Sequence, residues 1–178
     1  MGRDFNMVFA GFGGQGVLFA GKVVVESALF EDRELSWMPS YGPEMRGGTA
    51  NCSVCISDEP IGSPLVLEPN VLFAMNQPSY DKFIGSVVPG AVVLADSVLC
   101  PNVKDVEGVS TFTAPFSQLA EENGLKGLAN VVMVGKLWKE THFCEEETLF
   151  KAIEACVPPK KAHLLEPNKK ALRLGMSL

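Results

Sequence analysis

The fold of this chain is decided by Gly11-Phe12-Gly13-Gly14-Gln15-Gly16, which stands where an apolar run gives way to a helical pattern. The run before it, Phe5 to Ala10, has the length and the Phe and Val content of a buried strand. From Gly16 to Phe30 the apolar residues recur at helical spacing, with Lys22 and Glu26 four apart on the polar face. The stretch therefore predicts a strand, a glycine turn and a helix.

Beyond this unit, short apolar runs alternate with helical patterns. The expected strands are Glu34 to Met38, Thr49 to Ser57, Val71 to Met75 and Ala91 to Asp96. The expected helices are Tyr80 to Ile84, Pro115 to Asn123, Asn130 to Glu140, Glu145 to Cys156 and a short one after Pro167-Asn168. The valines in Asn130 to Glu140 leave a β-strand as the alternative for that segment. The repeated order predicts an α/β fold in one domain, residues 1–178, because 178 residues with 47% hydrophobic content fill one core.

Composition limits the partners of this domain. The 15 basic residues against 21 acidic ones give a net charge of −6, which disfavours nucleic acid and anionic membranes. No stretch approaches the roughly 18 consecutive apolar residues of a spanning helix, and the start of the chain lacks the pattern of a signal peptide. Five cysteines, an odd number, favour reduced thiols. We expect a soluble, cytoplasmic protein whose basic residues 160–178 form a docking tail.

The glycine turn fits the pattern G-x-G-x-x-G, in which glycines let backbone N–H groups approach a phosphate at a helix start. A dinucleotide site also needs an acid roughly 20 residues further on. Glu31, Asp32 and Glu34 are the candidates, although they resemble a charged surface turn. Two alternatives stay open from the residues alone: a stand-alone dinucleotide-binding protein, and a turn whose glycines serve only close packing.

A second motif lies in the stretch from Pro39 to Gly48, which is expected to be a long irregular loop. Compact domains seldom have ten such residues without a function. Glu44 and Arg46 stand two apart in it, so the carboxylate would hold the guanidinium toward an anion. The alternative is a solvated ion pair of little consequence.

Other chemical candidates are weaker. Cys52 and Cys55 have CxxC spacing, but residues three apart on a strand point to opposite faces, which favours structural thiols. Asp96 and Asn76 follow apolar strands, where ligands gather in open α/β sheets, yet turn and cap roles are favoured for both. No nucleophile elbow, Walker lysine or paired carboxylates are visible, so the sequence indicates a binding site more than a reaction centre.

Three ordered motifs together resemble a known family. They are Gly11-Phe12-Gly13-Gly14-Gln15-Gly16-Val17 with Ala20-Gly21-Lys22, then Ser40-Tyr41-Gly42-Pro43-Glu44-Met45-Arg46-Gly47-Gly48-Thr49-Ala50-Asn51, then Asn76-Gln77-Pro78-Ser79-Tyr80. With Asn130 to Gly135 they closely resemble the gamma subunit of 2-oxoacid:ferredoxin oxidoreductases. The second motif is most similar to the 2-oxoglutarate branch, with the branched-chain 2-oxoacid branch next and the pyruvate branch as a further alternative.

The resemblance implies a layered α/β domain with a mixed, largely parallel sheet and a Rossmann-like glycine loop at the first strand-helix turn. It also implies a reaction in which 2-oxoglutarate, coenzyme A and oxidised ferredoxin give succinyl-CoA, CO₂ and reduced ferredoxin. The chain has no thiamine diphosphate motif and no ferredoxin-like cysteine run. Thiamine diphosphate, Mg²⁺ and iron-sulfur clusters are therefore expected in partner subunits: alpha, beta and a ferredoxin-like delta subunit.

On this resemblance the chain covers the active site and helps bind coenzyme A, and no catalytic residue is assigned to it. A purely structural scaffold in the same complex is the other alternative. The amides from Gly13 to Gly16 and the Arg46 side chain would face the coenzyme A phosphates or the mouth of the partner's site. The expected contact residues are Gly11, Gly13, Gly14, Gln15, Gly16, Glu44, Arg46, Gly47, Gly48 and Asn76.

Overall fold

A computed structural model describes residues 4–40 and 49–178 of the chain. Its centre is a sheet of six strands in the order β2-β3-β1-β4-β5-β6. The strands are β1 (Phe5–Phe12), β2 (Glu34–Ser40), β3 (Thr49–Ser57), β4 (Val71–Ala74), β5 (Val92–Asp96) and β6 (Ser110–Ala114).

The sheet is mixed. β1, β4, β5 and β6 pair in parallel, whereas β3 runs antiparallel to both β1 and β2. β1 and β4 are buried along almost their whole length and carry continuous apolar runs, as parallel strands covered on both faces do. The expected α/β fold with a mixed, largely parallel sheet is confirmed.

In the described part of the chain, six α-helices pack on the sheet: α1 (Val17–Phe30), α2 (Gln77–Phe83), α3 (Phe116–Glu122), α4 (Ala129–Thr141), α5 (Glu146–Cys156) and α6 (Leu165–Ser177). Short 3-10 turns follow α2 at Ile84–Ser86 and precede α6 at Pro159–Leu164. α5 begins with Glu146 and Glu147 in its first turn, where carboxylates complement the helix dipole. α2 begins at Asn76, whose side chain accepts from the Ser79 N–H.

The core has two parts, one on each face of the sheet. The larger part joins α1, α4, α5 and α6 to one face and includes Phe9 and Phe73, whose ring centres are 4.8 Å apart. The smaller part lies under α2 on the other face and includes Leu72 and Tyr80. Burial of apolar surface on both faces fixes the register of the central strands and thus the position of the glycine turn.

The structure departs from the sequence predictions at two strands. β6 was not expected, because its Ser-Thr-Phe-Thr-Ala stretch is polar and only half buried at the edge of the sheet. β2 continues through Pro39 to Ser40, so the expected loop begins later; an edge strand tolerates proline, which cannot donate to a ladder. The rest of that loop, residues 41–48, lies outside the described residues.

Residues 160–178, expected to form a docking tail, lie largely against α4. A Cβ on Gly135 of α4 would meet the backbone of Leu172, and one on Gly175 of α6 would meet the backbone of Val132. These two glycines let the helix backbones touch. Docking of a partner on the exposed side of this segment stays a prediction.

The cysteines are all free and buried. Cys52 packs against α1, where a Cβ on Gly21 would lie 2.6 Å from its sulfur. Cys55, three residues along β3, directs its sulfur to the Ser63 carbonyl at 3.8 Å. The two thiols thus have different surroundings and do not share a site. None of the helices in residues 4–40 and 49–178 has the length and apolarity to cross a membrane.

Candidate functional site

The glycine turn forms a tight connection from β1 into α1. The Gln15 N–H donates to the Phe12 carbonyl at 3.1 Å, which closes the turn. Gly14 and Gly16 have φ of 97° and 77°, a left-handed conformation that favours glycine. The sequence pattern therefore meets its backbone requirement at these two positions.

The Gln15 side chain holds the turn to the neighbouring strand. Its Oε1 accepts from the Phe12 N–H at 2.6 Å and from Asn76 Nδ2 at 2.9 Å, and its Nε2 donates to the Met75 carbonyl at 3.1 Å. Asn76 Oδ1 also accepts from the Ser79 N–H at 2.9 Å, at the start of α2. The amides of Gln15 and Asn76 are thus committed to internal bonds, which makes both positioning residues for the turn.

The other side of the turn is fixed by α4. Asn130 Nδ2 donates to the Gly16 carbonyl at 3.0 Å, and the Asn130 side chain is nearly buried. A Cβ on Gly16 would lie 2.5 Å from that same nitrogen. Gly16 is therefore required twice, once by its φ and once by the close approach of Asn130.

Three backbone N–H groups of the turn have no acceptor among residues 4–40 and 49–178. They belong to Gly13, Gly14 and Gly16. A cavity of about 200 Å³ beside Gly14 is also lined by Gln15, Met75, the start of α4 and α3 residues that include the acidic Glu121. Added to the positive end of α1, these N–H groups form a surface suited to an anion such as a phosphate.

The acidic residues considered for a ribose contact lie at the wrong end of the sheet. Glu34 pairs with Ser57 of β3, whose neighbour Ile56 pairs with Phe5 at the start of β1. The glycine turn follows Phe12 at the other end of β1, roughly 20 Å away at the usual rise per residue. Glu31 instead accepts from the Glu145 N–H at 2.7 Å. This geometry does not favour the dinucleotide alternative.

Asp96 lies at the carboxyl end of β5 and is completely buried. Its Oδ1 accepts from the Val98 N–H at 2.9 Å and its Oδ2 from the Ser117 N–H at 2.7 Å. Burial raises the pKa of the nearby Cys100 thiol to about 12, and the Asp96 charge adds to the effect. Asp96 therefore has the turn-and-cap role that the sequence favoured.

The described residues on either side of the second motif's central stretch, Ser40 and Thr49, lie at the same end of the sheet as the glycine turn. Glu44, Arg46, Gly47 and Gly48 lie outside the described residues, but both flanks are visible. Thr49 pairs with Phe12 directly before the turn, and Ser40 pairs with Asn51 on the next strand. The sheet therefore brings the flanks of both motifs together.

Two features near the turn were not assigned by the sequence. The Asn130 amide contacts Gly16 although 114 positions separate them, and Gly127 lies beside the turn as well. Asn130 belongs to the stretch that carried the resemblance, but its hydrogen bond depends on how α4 packs. A polar residue among the apolar residues of the first two turns of α4 was the signal that the sequence offered.

The whole fold from β1 to α6 has a counterpart among known proteins. Residues 6–178 match the model of the family described as pyruvate ferredoxin/flavodoxin oxidoreductase. The chain belongs to this family. The resemblance carried by the three motifs is confirmed at that level.

Two relatives show what this chain is similar to. One is the ketoisovalerate oxidoreductase subunit VorA of Methanothermobacter marburgensis, 45% identical over 75% of this chain and 28% of the relative. The other is the 2-oxoglutarate synthase subunit KorC of Methanocaldococcus jannaschii, 41% identical over 84% of this chain and 81% of the relative. The chain thus spans less than a third of the length of VorA and most of the length of KorC.

Solved structures of this family share the fold. The gamma subunit of a keto/oxoacid ferredoxin oxidoreductase from Geobacter sulfurreducens is 28% identical, with a TM-score of 0.84 over 97% of this chain and 96% of that one. A 2-oxoglutarate:ferredoxin oxidoreductase from Magnetococcus marinus, solved with 2-oxoglutarate, coenzyme A and succinyl-CoA, is 24% identical. Its TM-score is 0.87 over 99% of this chain and 31% of that one, a likeness that concerns the fold alone.

Proposed function

We propose that this chain is the gamma subunit of a multisubunit 2-oxoacid:ferredoxin oxidoreductase. The observation that carries the proposal is the family match over residues 6–178. The similarity to a solved gamma subunit extends over 97% of this chain, and the similarity to KorC over 84% of it, which supports the gamma role. In this role it works with alpha, beta and ferredoxin-like delta subunits in the cytoplasm.

The site of this subunit contributes to coenzyme A binding. The N–H groups of Gly13, Gly14 and Gly16 have no internal acceptor among the described residues and lie at the positive end of α1, which suits a phosphate. Arg46 adds a guanidinium from the second motif, held by Glu44, and Gly47-Gly48 allow a close approach. The flanks of that motif pair next to the turn, which supports a shared site.

The 2-oxoacid of this enzyme is 2-oxoglutarate. The second motif is most similar to that branch, and KorC is a 2-oxoglutarate synthase subunit by name. VorA, a ketoisovalerate oxidoreductase subunit with 45% identity, favours a branched-chain 2-oxoacid as the second candidate.

The carbon and electron chemistry takes place on partner subunits. Thiamine diphosphate with Mg²⁺ supplies carbanion stabilisation there, and iron-sulfur clusters carry the electrons to ferredoxin. The residues of this chain position coenzyme A and exclude water. Gln15, Asn76 and Asn130 keep the amides of the turn in place, so that binding requires little reorganisation.

The role of the turn is tested in the assembled complex with Gly14→Ala. The added Cβ meets nothing within 4 Å of the chain, so it occupies the space through which a phosphate would approach. We expect the KM for coenzyme A to rise about tenfold, the equivalent of about one charge-assisted hydrogen bond. The KM for the 2-oxoacid should change much less.

A matched control is Gly108→Ala, because Gly108 has a similarly positive φ of 75° and also has open space around it. It reproduces the backbone strain at a position before β6, away from the turn. Arg46→Ala should also raise the KM for coenzyme A, whereas Arg173→Ala on the exposed side of α6 should not. Unchanged coenzyme A kinetics in both Gly14→Ala and Arg46→Ala would reject this site.

A further inference from the structure

A second cavity of about 430 Å³ lies between the first turns of α1 and α4, the end of α5 and the start of α6. Its walls include the apolar side chains of Phe19, Leu128 and Leu164. It includes Gly16 of the glycine turn and shares Gly127 with the smaller cavity, but it contains neither Gly14 nor Gln15. We call it the α1/α6 cavity.

The polar groups of the α1/α6 cavity are of two kinds. Lys22 and Lys161 line it as exposed residues, and neither Nζ forms an ion pair or hydrogen bond within residues 4–40 and 49–178. No acidic residue in that part of the chain lines it. The cavity begins at Gly16, the N-cap of the 14-residue helix α1, which has no side-chain cap. The local potential therefore favours an anion.

Two nearly buried amides line the same cavity with an unused acceptor. Asn130 and Asn168 are 4% and 3% exposed. The Nδ2 of Asn130 donates to the Gly16 carbonyl, and the Nδ2 of Asn168 donates to the Leu164 carbonyl. Their Oδ1 atoms accept no hydrogen bond within the described residues. A buried acceptor without a donor costs about 1–3 kcal/mol, so both oxygens gain from a ligand that carries N–H or O–H groups.

These groups together define one class of ligand. We propose that the α1/α6 cavity binds a mononucleotide-sized organic phosphate at a site that touches the glycine turn only at Gly16 and does not include Gly13 or Gly14. The phosphate lies between Lys22 and Lys161, an apolar ring packs on Phe19, and hydroxyl or amino groups donate to the Asn oxygens. The oxygens are almost closed to water, so a small movement of each side chain toward the cavity accompanies binding.

Adenosine monophosphate is a suitable probe because it has a phosphate, a flat ring and both kinds of donor. Its binding to the assembly that contains the full chain is measured by isothermal titration calorimetry. Adenosine and inorganic phosphate each supply only part of these groups, and we expect each to bind at least about tenfold more weakly, since one charge-assisted contact corresponds to about a tenfold change in Kd.

Variants locate the binding in this cavity. Lys161→Ala and Lys22→Ala remove exposed charges without disturbing the core. Combined, they should weaken the binding of adenosine monophosphate about tenfold or more. Asn168→Ala removes one free acceptor and should also weaken the binding of adenosine monophosphate. Circular dichroism checks that this variant is folded. Lys151→Ala, on an exposed position of α5 outside the cavity, is the charge-matched control and should bind normally.

The outcomes separate this inference from the proposed function. Binding that persists at saturating coenzyme A and is weakened by the two lysine variants supports the site. Displacement of adenosine monophosphate by coenzyme A would overturn a separate site. The absence of adenosine monophosphate binding would do the same, and so would an equal affinity for it in Lys161→Ala and Lys151→Ala. None of these results depends on the coenzyme A kinetics of Gly14→Ala, so either proposal can fail alone.

Discussion

Asn130 donates from Nδ2 to the carbonyl oxygen of Gly16 at 3.0 Å, which joins the start of α4 to the glycine turn. The amide approaches the turn on the side where Gly16 has no Cβ. On the other side, Gln15 is held by Asn76. The turn is thus supported from two helices, and its free N–H groups depend on both.

Gly16→Ala should destabilise the protein by about 2–4 kcal/mol. The alanine would have to adopt a strained left-handed conformation, and its Cβ would clash with the Asn130 side chain. Equilibrium urea unfolding gives the free energy of unfolding. Gly62→Ala is the control, since its Cβ meets nothing within 4 Å and its φ is not positive. Equal stabilities of the two variants would show that Asn130 does not pack against Gly16.

Gln15 and Asn76 should be energetically coupled. Asn76→Ala loses the cap of α2 and the bond to Gln15, which together cost about 1–3 kcal/mol. In a double-mutant cycle with Gln15→Ala we expect a coupling of about 0.5–3 kcal/mol. The same cycle with exposed Asn102→Ala, whose side chain is not bonded to Gln15, should be additive. Additivity in both cycles would contradict the bond between Gln15 and Asn76.

The contact between α4 and α6 should tolerate no side chain at Gly175. A Cβ there overlaps the backbone of Val132, and backbone cannot move aside as a flexible side chain would. We expect Gly175→Ala to cost about 3 kcal/mol or more in the free energy of unfolding. Gly85→Ala, where the Cβ meets nothing, serves as the control. A stable Gly175→Ala protein would show that α6 lies elsewhere, which would free residues 160–178 to act as a tail.

Alkaline pH should destabilise the protein through its buried thiols. Burial raises the pKa of Cys52 from 9.0 to about 12. The unfolded chain therefore releases this proton first, so stability is full below pH 9 and falls as the pH rises from 9 toward 12. Cys52 contributes about 1.4 kcal/mol of this loss at pH 10.

Urea unfolding at pH 8 and pH 10 measures the effect. Each protein serves as its own reference, and the difference between the two pH values should be smaller in Cys52→Ala than in the parent. An identical difference in both proteins would mean that the Cys52 thiol ionises as easily in the folded chain as in the unfolded one.

Local patterns predicted those parts of the fold that local chemistry determines. The change of period at the glycine turn, and the helix that ends before Pro158-Pro159, are properties of neighbouring residues, and the structure has both. β6 was missed because its half-buried edge position depends on pairing with β5. The antiparallel direction of β3 likewise depends on pairing, and only the family resemblance indicated a mixed sheet.

The candidate site was predictable to a similar extent. The glycine turn followed from its spacing, and Asn76 was noted because it ends a strand. The committed hydrogen bonds of Gln15 and Asn76 were not visible, because they join segments about 60 positions apart. Packing of α4 against the turn also brings Asn130 to Gly16, which no local pattern encodes. Arg46 and Glu44 stay predictions from the motif.

The central claim is that this chain serves a 2-oxoacid:ferredoxin oxidoreductase and does not act alone. The most direct measurement is to isolate the native assembly through an affinity tag on this chain and to assay ferredoxin reduction with 2-oxoglutarate, 2-ketoisovalerate and pyruvate. We expect larger subunits with iron-sulfur absorbance, and reduction that requires coenzyme A and is fastest with 2-oxoglutarate. A chain that purifies alone, saturated with a dinucleotide and without associated oxidoreductase activity, would contradict the account.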